Sequence, residues 1–352
     1  MEQTVKTIWI ATGGTGGHIF PALAVAEELV KNRYFVHIST DARGKKYIRD
    51  FYRAHWLDAG GMAVNYSVIW ASGVGAKGII QQAISLFKIM MSTVFLMTRF
   101  IFKRPTKIVA FGGYSSVPPL IAGWVWRIPT FLHEQNAAIG RANKFALPFV
   151  KTLMTSFPIG VGIYTGLPVR DDILNAKHEP TDEIRLLVTG GSLGAKILDD
   201  VMPGAVAMLK NNKKLFVIHQ TRPENMEKLR KKYSAIGVKN NVVTFIRDMA
   251  GELSKASLVI SRAGASTVVE MQTIGVPAIL VPLTVNPDQV ANAAAFVKDG
   301  GGIVLEQKGL TGEKMAGALE GLISKPEKLA KMAEKARVPN EAVEKIAQIV
   351  MS

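Results

Sequence analysis

Short apolar runs recur along this chain, each followed by small or polar residues and then by a stretch whose apolar positions fall three and four apart. Val5–Ala11, Phe35–Ser39, Val64–Val68, Lys107–Phe111 and Thr130–His133 read as buried strands in the first half. Ile184–Thr189, Leu215–Ile218, Val242–Ile246, Ser257–Ser261 and Ala278–Val281 repeat the pattern in the second. Phe20–Val30 has helical spacing, as do the segments between the other strands. Strands alternating with helices imply parallel sheets. The restart at Ile184 implies two doubly wound α/β domains. Gly166 and Pro168 in Thr165–Arg170 fix the direction of a crossing between them, which places the domains at 1–166 and 167–338. A last helix, Asn340–Met351, follows Pro339, so that 339–352 is expected to pack back on the first domain.

One segment departs from the pattern. Gly78–Arg104 is apolar on nearly all sides, punctuated by Lys88, Arg99, Lys103 and Arg104 and preceded by Lys77. Its longest charge-free run, Ile89–Thr98, is too short to cross a bilayer. Two readings stand: a helix buried in the domain with a basic end, or one whose exposed Ile79, Ile80, Ile84, Phe87 and Met90 enter the membrane interface while Lys77 and Lys88 meet headgroups.

Composition narrows the function. The 352 residues suffice for two domains, and the absence of cysteine excludes disulfides, thiolate metal sites and a cysteine nucleophile. A formal charge of +15 favours anionic partners. No basic run interleaved with aromatics appears, which disfavours nucleic acid. Met1–Ala11 lacks the apolar core of a signal peptide.

The loops after the strands carry the candidate chemistry. Gly13-Gly14-Thr15-Gly16-Gly17-His18 does not fit G-x-G-x-x-G, because Ile19 holds the third glycine position, and it lacks the Lys-Ser/Thr of a P-loop. Four glycines in five positions suggest that substrate or a facing domain approaches the backbone. His18 stands at a helix start, where the dipole favours neutral imidazole, a group able to accept a proton. Gly112-Gly113-Tyr114 and His133-Glu134-Gln135-Asn136 follow two further strands; Ala137 breaks H-E-x-x-H, so no metal site is inferred. In the second half Gly190-Gly191-Ser192-Leu193-Gly194-Ala195 is another anion cradle. Ser261-Arg262-Ala263-Gly264-Ala265-Ser266-Thr267-Val268-Val269-Glu270 lets a diphosphate approach backbone and places Glu270 to accept from ribose hydroxyls.

These motifs, with His219-Gln220-Thr221 and Gln289 to Asn292, resemble the MurG family, the peripheral-membrane N-acetylglucosaminyltransferases of bacterial peptidoglycan synthesis, over nearly the whole chain. Two Rossmann-like domains, each with a glycine loop facing a cleft, make GT-B the expected architecture, and the resemblance implies an inverting transfer of GlcNAc from UDP-GlcNAc to the MurNAc 4-hydroxyl of undecaprenyl-diphospho-MurNAc-pentapeptide (lipid I), giving lipid II. It implies donor contacts from Arg170, Ser192, Ile246, Ala265, Ser266, Thr267, Val268, Val269, Glu270 and Gln289, and from Thr15, Gly16, Gly17 and Asn136. Gly14, Tyr114, Glu134 and Gln135 would face the acceptor, and His18 would be the base. No cofactor or metal is implied. The expected location is the cytoplasmic face of the bacterial membrane, held to an anionic surface, with other cell-wall synthesis proteins as further candidate partners. Leu193, Leu167, Arg222 and Asp288 depart from the usual Gln, Asn, Gly and Gln of the family. A UDP-sugar epimerase of the same fold and a non-catalytic nucleotide-binding scaffold are the alternatives.

Overall fold

The computed structural model of the chain describes residues 6–58, 64–71, 78–191, 194–210, 212–298 and 300–352. It divides into two compact units, Met1–Arg170 with Asn340–Ser352, and Asp171–Pro339.

Among the described residues, the first unit holds β1 (Thr7–Ala11), β2 (Phe35–Thr40), β3 (Val64–Val68), β4 (Lys107–Ala110), β5 (Thr130–Glu134), β6 (Thr152–Thr155) and β7 (Ile163–Tyr164). They form one parallel sheet in the order β3-β2-β1-β4-β5-β6-β7. The chain therefore reverses its direction of winding beside β1, and the β1 and β4 loops flank the switch point where ligands of such sheets bind. The second unit holds β8 (Ile184–Thr189), β9 (Leu215–Gln220), β10 (Lys239–Val243), β11 (Leu258–Ser261), β12 (Ala278–Leu280) and β13 (Gly302–Val304). Their order, β10-β9-β8-β11-β12-β13, repeats that arrangement beside β8. Two GT-B half-folds result.

The central strands of each sheet are buried on both faces, which is why they read as apolar runs without alternation. Ile8, Ile10, Val36, Ile38 and Val109 belong to one core of the first unit. Helix Ala342–Met351 completes that core with Ile346, Ala347 and Val350, packing on helix Gly16–Lys31. Asn340 ties its start to the first unit by donating Nδ2–H to the Leu167 carbonyl at 3.0 Å.

Several boundaries differ from the sequence expectation. Strand β10 occupies Lys239–Val243, not Val242–Ile246: it is an edge strand, and its polar Lys239, Asn240 and Asn241 carry ladder bonds while Ile246 turns into the unit as a buried residue. Val5 and Lys77 lie outside the described residues.

The apolar segment is one helix, Ile79–Phe102, joining β3 to β4. At about 1.5 Å per residue it is roughly 36 Å long, and by length and composition alone it qualifies as a possible membrane span. Both ends feed parallel strands of one sheet, and one of its faces packs on the first unit. Apolar side chains lie on both faces: Ile89, Leu96 and Phe100 are buried beside Ser85, Ser92 and Thr93, while Ile79 is 87% and Ile80 77% exposed. The buried hydroxyls are satisfied, Ser92 donating to the Trp70 carbonyl at 2.7 Å and Thr93 to that of Ile89 at 2.8 Å. Ile84, Phe87, Met90 and Phe95 are exposed as well. Of the two sequence readings, the exposed face is the one present.

Candidate active site

His18 lies in the first turn of helix Gly16–Lys31, its Nδ1 2.9 Å from Thr15 Oγ1. The half-buried ring rests between two loops. A Cβ on Gly112, which has φ +79°, would meet His18 Cδ2 at 3.0 Å and Nε2 at 3.2 Å. The small residues after β1 and β4 therefore make room for the imidazole itself, a use of glycine that the sequence pattern assigned to substrate. Burial, reinforced by the nearby Arg43 cation and opposed by Asp41, holds the His18 pKa down at about 4. At neutral pH the imidazole is unprotonated, and in the tautomer that donates Nδ1–H to Thr15 Oγ1 the Nε2 lone pair can accept a proton.

Asp41, just past β2, organises this loop. Its buried carboxylate accepts from Gly14 N at 3.1 Å and from Arg43 N, Nε and Nη2 at 2.9, 3.1 and 2.7 Å. Burial alone would raise its pKa; the hydrogen bonds from Arg43, backed by Coulomb attraction and by Gly14, outweigh that and hold it below the ordinary value. A Cβ on Gly14 would strike Asp41 Oδ1 at 1.9 Å, so glycine is required there. Neither Asp41 nor Arg43 was singled out from the sequence; parallel pairing of β1 with β2 brings them to the loop.

The loop after β5 corrects two expectations. Glu134 is 1% exposed, and both carboxylate oxygens are used inside the loop. Oε1 accepts from Asn136 N at 2.9 Å and Nδ2 at 3.1 Å, and Oε2 from Gly140 N at 2.9 Å and Asn143 Nδ2 at 2.7 Å. Four donors fill the four lone-pair positions, so Glu134 shapes this loop and has no site left for an acceptor hydroxyl. Gln135 is also buried, its Nε2 donating to the Phe111 carbonyl at 3.2 Å. His133, fully buried with Nε2 2.8 Å from the Gly166 carbonyl, is held at about pKa 4 by burial, which that bond partly opposes. Asn136 and Tyr114 remain half-buried, Thr15 and Arg170 exposed.

In the second unit the loops after β8, β9, β11, β12 and β13 line a cavity of about 490 Å³ that includes Gly190, Gly194, Lys196, Arg222, Arg262 and Gln289. Gln289 Oε1 accepts from Leu283 N at 2.9 Å, which fixes the side chain at the cavity wall. Arg262 donates Nη1–H to the Val281 carbonyl at 2.8 Å, binding the β11 loop to the end of β12. Helix Ala265–Ile274 begins here, with Ala265, Ser266, Thr267 and Glu270 half-buried. Val268 and Val269, expected at the ligand, point instead into the core, at 0% and 6% exposure. Ser192 and Leu193 lie outside the described residues. A buried network supports the first wall: Asp199 accepts from Thr221 Oγ1 at 2.7 Å and Asn225 Nδ2 at 2.9 Å, with His219 Nε2 at 3.2 Å from its other oxygen. Among the described residues, no group of three or more His, Asp or Glu is placed to hold a metal ion.

The sequence profile of the glycosyltransferase family 28 N-terminal domain matches residues 8–155, and that of its C-terminal domain residues 185–350. The chain belongs to glycosyltransferase family 28. Within it, the relatives are MurG enzymes. A Sinorhizobium fredii protein named UDP-N-acetylglucosamine--N-acetylmuramyl-(pentapeptide) pyrophosphoryl-undecaprenol N-acetylglucosamine transferase is 38% identical over 349 residues, covering 94% of this chain and 90% of the relative. A Phenylobacterium zucineum protein of the same name is 37% identical, with 98% of each chain covered. The crystal structure of Acinetobacter baumannii MurG superposes with a TM-score of 0.79 at 30% identity, over 99% of both chains. A Neisseria meningitidis UDP-GlcNAc 2-epimerase, at TM-score 0.67 and 13% identity, shares the fold alone. Both family 28 domains thus fall on the two sheets just described, and the glycine loops, His18 and the cavity of the second unit lie within them.

Proposed function

We propose that this chain transfers GlcNAc from UDP-GlcNAc to the 4-hydroxyl of the MurNAc residue of lipid I, forming lipid II. The similarity to MurG enzymes over nearly the full chain supports this, and the observation that carries the chemistry is the neutral His18 seated between the β1 and β4 loops. In the proposed step the acceptor oxygen forms the new bond to the anomeric carbon as the bond to the UDP oxygen breaks, inverting that carbon. His18 Nε2 takes the hydroxyl proton, and the departing diphosphate is met by backbone N–H groups and cations of the second unit. The reading contains no metal ion or cofactor; activity lost to EDTA and restored by a divalent cation would contradict it. The decisive assay is transfer of radiolabelled GlcNAc to a lipid I analogue. UDP-GlcNAc turnover without any lipid would favour an epimerase, and UDP binding with no turnover a scaffold.

Donor recognition is assigned to Ala265, Ser266, Thr267, Glu270 and Gln289, with Glu270 holding the ribose. A carboxylate accepting from hydroxyls makes charge-assisted bonds worth about 1.5–3 kcal/mol. Glu270→Ala is therefore expected to raise the UDP-GlcNAc KM at least about tenfold with unchanged far-UV circular dichroism. An unchanged KM would remove Glu270 from the donor site.

The proposal places the protein peripherally on the cytoplasmic face of the membrane, through the exposed face of helix Ile79–Phe102. Apolar side chains there would enter the interfacial layer, and Lys88, Lys103 and Arg104 would each contribute about 1 kcal/mol against an anionic surface. Co-sedimentation should require anionic vesicles, weaken with salt and fall further in Ile84→Asp/Phe87→Asp. Equal binding to neutral vesicles at high salt, or none to either, counts against this assignment.

A further inference from the structure

Arg222 occupies a position where its local structure does not favour it. It is the N-cap of helix Pro223–Ile236, with no side-chain capping bond. Ser, Thr, Asp and Asn stabilise that position, and a cation there faces the positive end of the helix dipole. Lys196 likewise begins helix Lys196–Met208. Both side chains line the 490 Å³ cavity of the second unit. Each takes part in an ion pair that is a weak competitor: Glu224 is 3.9 Å from Arg222, with the two side chains 65% and 53% exposed, and the Lys196–Asp200 pair is also solvent-exposed. Such surface pairs exchange readily with a stronger anion. The stem of Arg222 lies over the glycine loop, where a Cβ on Gly194 (φ +65°) would meet Arg222 Cγ at 3.2 Å. Arg262, the third cation of the cavity, is committed to the Val281 carbonyl and serves the wall.

We propose that Arg222, seconded by Lys196, grips the diphosphate of the nucleotide donor, so that donor affinity in this chain depends on a guanidinium beside the glycine loop. The proposal rests on the donor-site reading above and identifies the residue that discriminates a nucleoside diphosphate from the bare nucleoside. Arg222 suits the task because its planar fork can take two phosphate oxygens at once.

Calorimetric titration of the full chain with UDP, UMP and uridine separates the possibilities. Arg222→Ser should weaken UDP binding about 10- to 100-fold and uridine less than about twofold, and should flatten the salt dependence of UDP binding. The UDP-GlcNAc KM should rise in parallel while the acceptor KM holds. Because serine supplies the missing cap, the same variant should melt about 1–2 °C higher. That combination of stability gained and diphosphate affinity lost is not produced by a residue that only supports the fold. Arg222→Lys should retain part of the affinity. Unchanged UDP binding in Arg222→Ser, or equal losses for UDP and uridine, would overturn the proposal while leaving the donor site standing. A wild-type chain that binds no UDP would take down both.

Discussion

Replacing His18 with alanine is expected to lower kcat by about 10²- to 10⁴-fold, the usual contribution of a general base, while UDP affinity stays within a few fold. The separation follows from the structure: His18 belongs to the β1 loop of the first unit, whereas the cations and helix starts that suit a diphosphate line a cavity of the second. The pH profile supplies an independent reading. With its pKa held at about 4 by burial, then Arg43, His18 is unprotonated above that value, so the acidic limb of kcat/KM should fall near pH 4 and be absent from the residual activity of His18→Ala. Arg43→Gln should move the limb upward by removing the neighbouring positive charge.

Acid unfolding must be kept apart from that limb. Burial holds His37 at about 3 and His133 at about 4, both below the value of about 6.5 expected in the unfolded chain. Between pH 6.5 and those values the unfolded state binds protons that the folded state refuses, so stability falls as the pH drops through that window. Circular dichroism at each pH distinguishes the two effects. A near-normal kcat in His18→Ala would remove this residue from the chemistry.

The second large effect is expected at Glu134. Its carboxylate is surrounded by four donors in a buried loop. Alanine leaves those donors unsatisfied, and losing charge-assisted bonds without replacement should cost about 3 kcal/mol or more. Asn136 and Asn143 would lose their anchor, and transfer should fall at least about tenfold through misplacement of the loop. The experiment has a convenient probe, because Trp9, Trp56, Trp70, Trp124 and Trp126 are the chain's five tryptophans and all lie in the first unit. Urea unfolding followed by tryptophan fluorescence therefore reads that unit alone. Glu134→Gln should fall between wild type and Glu134→Ala, since one amide oxygen can keep part of the bonding. An unaltered urea midpoint in Glu134→Ala would show that the network contributes nothing to stability.

The central strands of the sheets were legible because both of their faces are buried, and a strand buried on both sides announces itself as an apolar run. The strands that escaped notice lack that signal. Thr152–Thr155 has four residues, two of them threonines, Ile163–Tyr164 is a two-residue exposed edge and Gly302–Val304 spans three residues, while β10 was placed too far along because it begins in the polar Lys239-Asn240-Asn241. The glycine loops and His18 were legible from composition at a strand-to-helix turn. What shapes them was not: Asp41 is 27 residues from Gly14, and only strand pairing brings the two together. Glu134 misled for a related reason. A polar residue ending a strand looks the same in sequence whether it faces a ligand or its own loop, and only the positions of Asn136, Gly140 and Asn143 decide. Val268 and Val269 lie within a ligand-binding signature yet face the core, because consecutive residues of a helix cannot all face one side.

The first unit is discontinuous in the chain, and this has a consequence for biosynthesis. Ile346, Ala347 and Val350, made long after the rest of their unit, fill the core under helix Gly16–Lys31. Residues 171–352 take roughly 10–35 s to add at about 5–20 residues per second. Within that interval Asp171–Pro339 gains its whole sequence before Asn340–Ser352 is made, while the earlier-made unit waits with an unfilled apolar seam. The part translated first is thus the part completed last, and a nascent chain stalled before Ala342 should be a substrate for holding chaperones.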